Sequence, residues 1–483
     1  MIDQARKLLG LPTNMRWFEW LWLGLPISVW FSYQPLIRLG QSETMYFELS
    51  ISVIYLAIVA CASLPLIWQA RRKLMQNRAV WLSGAYVLAC LISLIWTPNL
   101  VRGVLTCGVA GTLMLTLWGM LARPESLVRL KSAISRVFIA MTVLMSGVGL
   151  GQFFAGIWLN SDITMLCAGC QAMQFGFVRP NGFTVEPQFF GGLLVMGIFL
   201  LMHEIITKKR AKWSVWVMLI LAVVALVLTL SRGAIFSLLI GGLVFAVVNY
   251  RQWQRVGLIV ISGIGSLAIA LVLQGWATSI NPTIDETFTG AIAKSVNQLS
   301  MGVIDIEIDE STGDADFPVS PTQPVGQTEP TATVEPTKTE PKFDGYVEES
   351  TNIRLNLSQI ALEAWARDTT TQIVGVGTGG AGVAMHQTSP ERIAGPREIV
   401  QNEYIEQLLE GGIIKLGLFV VIITTILIIT RQQKWLWAMI IACLVQLAFF
   451  SGYPNALHIY LMLIIVTAIT LHRDQLKPAK QYS

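Results

Sequence analysis

Charge is scarce in this sequence. Of 483 residues, 34 are Lys or Arg and 30 are Asp or Glu, which leaves a net charge of +4 and a charged fraction of 13%. Soluble domains carry about 25% charged residues. The pattern excludes a disordered chain and a nucleic-acid binder with a broad basic face. Because the chain is 53% hydrophobic, with 16 Trp and 20 Phe, it predicts an integral membrane protein.

Cysteine and histidine are also few, with six and four residues. Cys167 and Cys170 form a single C-x-x-C pair without the second half of a zinc site, so a strained disulfide and two free thiols both stay open. Metal-ligand spacings are missing, and we expect neither a metal nor a cofactor. The remaining cysteines lie in apolar runs and are expected to pack as small hydrophobic side chains: Cys61, Cys90, Cys107 and Cys443.

Long apolar runs dominate the sequence. Their lengths suit helices that span a bilayer, whereas strands of a membrane barrel are about 10 residues long and alternate in polarity. The runs cover 17–37, 47–69, 79–97, 100–121, 133–157, 184–206, 213–231, 234–249, 256–276, 403–430, 435–451 and 455–471. We predict an all-α fold, a polytopic membrane bundle of about 12 transmembrane helices with one large extracytoplasmic loop.

Positive residues cluster in every second connection, for example at 71–78, 123–136 and 208–212. The positive-inside rule then places both termini of this multi-pass chain in the cytoplasm. Four lone arginines fall in short connections on the outer side: Arg38, Arg102, Arg179 and Arg232. A lone arginine near a span end can simply extend to the lipid headgroups.

The chain divides at its largest polar segment. We predict transmembrane spans one to nine in 1–276, an extracytoplasmic loop in 277–400, spans ten to twelve in 401–471 and a cytoplasmic tail in 472–483. Residues 305–345 are rich in Pro, Thr and acidic residues and are expected to be disordered. Apolar residues recur at helical spacing over 353–367, around Trp365, which predicts an amphipathic helix at the membrane interface.

Two of the outer arginines have specific surroundings. Arg179 begins the run Arg-Pro-Asn-Gly-Phe, and Arg232 lies in the very short connection between spans seven and eight. A guanidinium fixed at such a point can hold a phosphate through two parallel hydrogen bonds. Glu186 follows at the start of span six.

Further polar residues precede span ten. Asn402, Glu403, Glu406 and Glu410 fall on one helical face, which is either a solvated face or the lining of a cavity. A glycine-dense segment, 375–382, is expected to form a flexible turn over the site. His386 follows that segment and is either a solvated loop residue or a functional one.

These motifs, in this order, resemble the bacterial O-antigen ligase and O-antigen polymerase superfamily. They are the Arg179 segment with Glu186, the Thr-Leu-Ser-Arg-Gly turn ending at 233, the glycine-rich loop, and Gln-Asn-Glu-Tyr-Ile-Glu at 401–406. The resemblance implies an inverting, metal-independent glycosyltransferase that acts at the outer face of the bacterial cytoplasmic (inner) membrane. Its partners would be a glycan donor on undecaprenyl diphosphate, a glycan or glycolipid acceptor and the lipid bilayer, with no nucleic acid.

By motif position, the resemblance assigns binding of the donor diphosphate to Arg179 and Arg232. We predict that Arg102 and Arg38 join them, and that the acceptor is bound by Asn402, Tyr404, Glu406 and Glu410. Family ligases commonly have His where this sequence has Gln401, and an amide cannot accept a proton at neutral pH. A base would then be Glu403, Glu186 or His386. This departure favours a polymerase or a related exopolysaccharide enzyme over a strict ligase.

Two other functions fit a polytopic chain. A lipid or solute transporter would place broken or charged helices at the midplane of both halves and show internal symmetry, whereas the polar residues here gather near one rim. A non-catalytic scaffold or receptor would leave Arg179, Arg232, Glu186 and Glu403 without a shared site.

The Pro/Thr-rich segment provides a first test of this division. Deleting 311–341 is expected to leave glycan transfer near the wild-type rate, because a segment that buries little apolar surface contributes no packing to the site. Transfer would be measured in membranes with equal protein content. A well-expressed but inactive deletion variant would show that the segment takes part in function.

Overall fold

The computed structural model describes residues 11–12, 14–32, 36–41, 46–159, 173–174, 177–184, 186–208, 212–280, 288–299, 346–393, 395–451 and 457–475. The segment 305–345, the end of the tail at 476–483, and both Cys167 and Cys170 lie outside these ranges. Predictions about them therefore remain predictions.

Helices make up most of the described chain. They are α1 (Trp17–Ser28), α2 (Ile51–Leu74), α3 (Arg78–Ile92), α4 (Leu100–Ala122), α5 (Pro124–Leu159), α6 (Pro187–Thr207), α7 (Trp213–Leu228), α8 (Arg232–Val248), α9 (Trp253–Ile280), α10 (Phe288–Leu299), α11 (Tyr346–Ala366), α12 (Thr369–Val374), α13 (Ala381–Thr388), α14 (Glu403–Thr430), α15 (Lys434–Gln446) and α16 (Leu457–Gln475). Short 3₁₀ segments are at Val29–Phe31, Ser93–Ile95, Tyr250–Gln252 and Pro390–Arg392.

Each of the twelve predicted apolar segments contains a helix, from α1 to α9 and from α14 to α16. Seven of these helices are long and apolar enough to cross a membrane, namely α2 to α6, α9 and α14, and four more are shorter apolar helices. The class of the fold, a bundle of apolar helices, is thus confirmed. The number of spans and the sidedness of the termini stay predictions.

Two short antiparallel hairpins were not included in the all-α prediction. They are β1 (Leu36–Gln41) with β2 (Tyr46–Ser50), and β3 (Met173–Gln174) with β4 (Phe177–Val178). Both lie in connections between helices. There, backbone groups that belong to no helix pair with each other, which meets their need for hydrogen bonds. Arg38 lies on β1, next to an irregularity in the pairing.

Helix α6 lies at the centre of the bundle, packed against α5, α7, α8 and α15. Almost all of its residues are buried, which explains why it is apolar on every side. The neighbouring pair α8 and α15 packs closely. A Cβ atom at Gly241 would lie 2.7 Å from the Cβ of Ala442, so glycine is needed there for the two helices to approach.

The outer surface of the bundle carries large apolar side chains. Ile261 and Ile264 on α9 are more than half exposed, as expected for a helix face that contacts lipid. Cys90, Cys107 and Cys443 are buried, as predicted for small hydrophobic side chains, whereas Cys61 lies on an exposed face of α2.

The loop after α10 has a small core of its own. The predicted helix around Trp365 is confirmed as α11. Ile360 and Ala361 on this helix pack with Met385 of α13 and Leu409 of α14. These contacts dock the loop onto the bundle, and the position of the helix at the membrane interface stays a prediction.

Candidate functional site

The turn that follows α15 connects the helix starts that carry the predicted site residues. The carbonyl of Leu447 accepts the Glu403 N–H at 2.8 Å, at the beginning of α14. The Ser451 hydroxyl donates to the Glu406 carboxylate, one turn further along the same helix. These two contacts fix the first turns of α14 against the end of α15.

The same turn also reaches α6 and α8. The Phe449 carbonyl accepts a hydrogen bond from Gln188 Nε2 at 2.9 Å, and Gln188 is two residues from Glu186 at the start of α6. The Phe449 side chain packs on Gly233, where a Cβ atom would lie 2.9 Å from the Phe449 Cβ. Because Gly233 follows Arg232, the starts of α6, α8 and α14 all meet at residues 447–451.

Arg179 is held next to the turn between α7 and α8. Its Nε donates to the Thr229 carbonyl at 2.9 Å. The backbone that carries Arg179 is anchored on α5, because Gln152 Oε1 accepts the N–H groups of Asn181 and Gly182 at 3.2 Å and 2.9 Å. The structure thus brings Arg179 and the Arg232 turn together, although 50 residues separate Arg179 from Thr229.

Arg232 is buried and is the first residue of α8. The Ser231 hydroxyl caps this helix by accepting the Ala234 N–H at 3.4 Å. A helix N-terminus combined with a guanidinium favours an anion, since both the peptide dipoles and the side chain carry positive charge there. This geometry is suited to a phosphate group.

Backbone strain is concentrated at the site. Among the described residues other than glycine, positive φ angles occur at Leu230, with φ 49°, and at Gln401, with φ 57°. Leu230 directly precedes Ser231 and Arg232, and Gln401 directly precedes the α14 cap. A bulky residue in this region costs about 1–3 kcal/mol and persists where the surroundings enforce it, often at functional sites.

The carboxylates of Glu403 and Glu406 are buried, so the interpretation of 402–410 as a solvated helix face is wrong. The Oε1 atom of Glu403 accepts Gln407 Nε2 at 2.5 Å and also the Tyr460 hydroxyl. These two hydrogen bonds fix the position of the Glu403 side chain.

Glu186 is different. It is half-buried at the N-cap of α6, and its side chain does not cap the helix. Within the described chain its carboxylate has no hydrogen-bond donor, unlike those of Glu403, Glu406 and Glu410. It is therefore the carboxylate at this site that is most accessible to an incoming hydroxyl.

Glu410 belongs to a buried ion pair. Its Oε2 lies 3.1 Å from Lys415 Nζ, and its Oε1 accepts the Gly379 N–H at 2.8 Å. Thr378 Oγ1 lies 3.4 Å from the same Nζ and 2.7 Å from the Ser93 hydroxyl, at the end of α3. Glu410 thus joins the glycine-rich segment to the bundle.

The backbone explains why that segment enters the bundle. Helix α14 is kinked at Gly412, where φ is 61°. The kink frees the carbonyls of Leu409 and Glu410, which accept the N–H groups of Val376 and Gly377, both at 2.9 Å. The segment around 375–379 is therefore a buried wedge, not the flexible turn over the site that the sequence predicted.

The remaining predicted residues have mainly local contacts. Arg102 Nη1 lies 3.4 Å from the Arg397 carbonyl and 3.5 Å from that of Glu398, so it anchors the segment that leads to Gln401. Burial raises the pKa of the Glu398 carboxyl, and the nearby Arg102 opposes that rise. The Arg38 side chain lies outside the described part of the structure, so its predicted role stays a prediction.

Asn402 caps α14, because its Oδ1 accepts the Tyr404 N–H at 3.1 Å. The Tyr404 hydroxyl donates to the Leu444 carbonyl on α15 at 2.8 Å. His386 lies on α13, with a buried Nδ1 that has no hydrogen-bond partner among the described residues.

Sequence reasoning missed several residues of the site. Arg354 on α11 donates to Gln188 Oε1 at 2.8 Å, and so adds a third guanidinium beside the start of α6. The sequence feature that could have identified Arg354 is its position next to the apolar residues of α11. Gln188, Ser451 and Tyr460 gave no such signal, because each is defined by a contact with a residue far away in the sequence.

Residues 217–420 match the family model described as O-antigen ligase. The matched range includes Arg232, the loop with His386 and the start of α14, which confirms the resemblance to the ligase and polymerase superfamily. No curated protein and no solved structure matches the chain.

The family match and the long apolar helices support a multi-pass membrane protein of surface-glycan processing, and the family implies a lipid-linked glycan and an acceptor as substrates. Among the described residues, no three His, Cys, Asp or Glu side chains are grouped as metal ligands.

The buried ion pair gives a test of stability. Replacing Lys415 by Met leaves the Glu410 carboxylate buried without its cation and is expected to lower the free energy of unfolding by about 3–5 kcal/mol. The double variant Glu410→Gln/Lys415→Met should recover most of the loss. Thermal unfolding in one detergent would measure both, with the exposed Lys434→Met as control. A Lys415→Met protein as stable as that control would contradict the prediction.

Proposed function

We propose that this protein transfers a glycan from an undecaprenyl-diphosphate donor to a glycan or glycolipid acceptor at the outer face of the bacterial cytoplasmic membrane. The reaction inverts the anomeric centre. The match of residues 217–420 to the O-antigen ligase family supports glycan transfer as the activity. The contacts of residues 447–451 with three helix starts support the location of the site.

One observation supports this proposal above the others. Arg179 contacts the turn that carries Arg232, and that turn is strained at Leu230 and begins a helix. Two guanidinium groups and a helix N-terminus can together bind the two phosphates of a lipid diphosphate. Arg354, held through Gln188 near the same turn, adds positive charge to this anion site.

The chemistry needs little beyond binding and placement. The acceptor oxygen attacks the anomeric carbon while the bond from that carbon to the diphosphate oxygen breaks, and the bonding electrons leave with the diphosphate. Because diphosphate is a good leaving group, stabilising its charge and aligning the hydroxyl supply most of the rate enhancement. The acceptor proton passes to a protein carboxylate.

Glu186 is the preferred base. Its carboxylate accepts no hydrogen bond from the described residues. Glu186 precedes Gln188 by two residues, at the point where the starts of α6, α8 and α14 meet. Glu403 Oε1 already accepts hydrogen bonds from Gln407 and Tyr460, so it is less available to an incoming hydroxyl. We assign Glu403 to holding the start of α14, and Gln401 and Glu406 to the acceptor.

The acceptor is proposed to be a second glycan chain. Gln401 replaces the histidine common in family ligases, and its strained backbone places an amide, which is a hydrogen-bonding group and not a base, at the α14 start. Polymerisation or assembly of a related exopolysaccharide fits this residue better than ligation to lipid A core.

Arg232 is the first test. Arg232→Ala is expected to abolish glycan transfer, whereas Arg232→Lys should keep partial activity because it retains the charge but loses the two-pronged geometry. Transfer would be assayed with a defined lipid-diphosphate oligosaccharide and purified protein. Arg431→Ala, at an exposed arginine beyond the end of α14, serves as the control. Transfer by Arg232→Ala at the control rate would refute the role of Arg232.

Glu186 is the second test. Glu186→Gln should lower kcat by about 10²–10⁴ with little change in KM, because general-base assistance acts in the transition state. Steady-state kinetics with the same donor would measure the change. Exposed Glu391→Gln is the matched control. If Glu403→Gln shows the selective loss of kcat while Glu186→Gln does not, the base is Glu403.

A further inference from the structure

A polar cavity of about 310 Å³ lies at the end of the bundle opposite the candidate site. Helices α6, α8 and α14 begin at the site, and the lining of the cavity comes from the far end of α6 and from residues that follow α8 and α14. Because α6 has 21 residues, it is about 30 Å long, which is about the thickness of the hydrocarbon core of a bilayer. The cavity therefore lies at the opposite surface of the membrane.

The lining of this cavity favours an anion. It contains Lys131 and Lys434 and, among the described residues, neither Asp nor Glu. The nearby carboxylate of Glu204, in the last turn of α6, forms an ion pair with Lys208 instead. Lys131 Nζ donates to Gln433 Oε1 at 3.3 Å, which holds this ammonium group at the wall of the cavity.

The start of α15 adds to this positive potential. Helix α15 begins at Lys434, and the side chain of its N-cap residue, Gln433, makes no capping hydrogen bond. Both residues line the cavity together with Trp435, whose ring stacks on His203 with the centroids 4.4 Å apart. Since the peptide dipoles of a helix place partial positive charge at its start, this end of α15 favours a negatively charged group.

An apolar surface on α8 leads to the cavity. Leu239, Leu243 and Val247 are each more than 60% exposed and recur at intervals of four residues, so they share one face of α8. Phe245 is buried and lines the cavity. The exposed Tyr250 follows α8, and exposed aromatic side chains of this kind mark the level of the lipid headgroups. Hydrocarbon chains on the exposed face of α8 would thus end beside the cavity.

We propose that this cavity binds the phosphate group of an anionic phospholipid, whose acyl chains lie outside the bundle along the exposed face of α8. Lys131, Lys434 and the start of α15 supply positive charge, and the amide of Gln252 can donate a hydrogen bond to the headgroup. Basic pockets between membrane helices are suited to anionic headgroups. A phospholipid fits better than free phosphate, because only the lipid also contacts the apolar face. The inference does not depend on the proposed glycan transfer.

The experiment measures thermal unfolding of the full-length protein in a neutral detergent while the mole fraction of phosphatidylglycerol is raised. Phosphatidylglycerol is expected to raise the melting temperature, because a ligand of the folded state stabilises that state. Phosphatidylcholine with the same acyl chains carries no net charge and should leave the melting temperature nearly unchanged. Equal stabilisation by both lipids, or by neither, would overturn the proposal.

Variants then test the cavity itself. Lys131→Gln can still donate to Gln433 but has no charge, so it should require about tenfold more phosphatidylglycerol for half of the shift. Lys131→Arg should respond as the wild type does. Lys73→Gln, at an exposed lysine in the last turn of α2 that lines a separate cavity, is the matched control. A response of Lys131→Gln equal to that of this control would contradict the assignment.

Two further measurements need no variant. Inorganic phosphate alone should not reproduce the shift, and a full shift with phosphate would show that the ligand is a free anion and not a lipid. Wild-type protein is also irradiated with a phosphatidylglycerol that carries a diazirine in its headgroup. Adducts are expected within 203–207, 245–252 and 431–435, and adducts confined to other segments would exclude this cavity as the binding site.

Discussion

The site depends on the short turn at the end of α15. The last carbonyls of a helix need hydrogen-bond donors from outside it. Here the Leu447 carbonyl accepts a hydrogen bond from Glu403, the first residue of α14, and the Phe449 carbonyl accepts one from Gln188, near the start of α6. Phe449 fills the space that Gly233 leaves open. One turn therefore fixes the relative positions of α6, α8 and α14, and with them Glu186, Arg232 and Glu406.

A second constraint holds the loop. The kink at Gly412 exposes two carbonyls inside the bundle, and the glycine-rich segment supplies the N–H groups that they require. The Lys415 to Glu410 pair closes this joint, since neither charge could be buried alone at acceptable cost. Glu410 thus acts in the architecture, and the acceptor role predicted for it is better assigned to the residues before it.

The two ends of α14 face different environments. Near Glu403 the helix carries buried carboxylates, and beyond the hydrogen bonds that Tyr86 and Tyr460 donate to Gln407 and Glu403 it lines an apolar cavity. These hydrogen bonds close the cavity toward the candidate site.

Much of this could be predicted from local sequence. Apolar runs of membrane length located the helices, and the Arg232 turn and the 401–406 motif lie within the range that matches the family model, because composition and short motifs are local properties. Local patterns could not show that Glu403 is held by Tyr460, that Arg354 reaches Gln188, or that the glycine-rich segment is a buried wedge. Those features depend on contacts between residues far apart in the chain, and only packing of the whole bundle decides which of these residues meet.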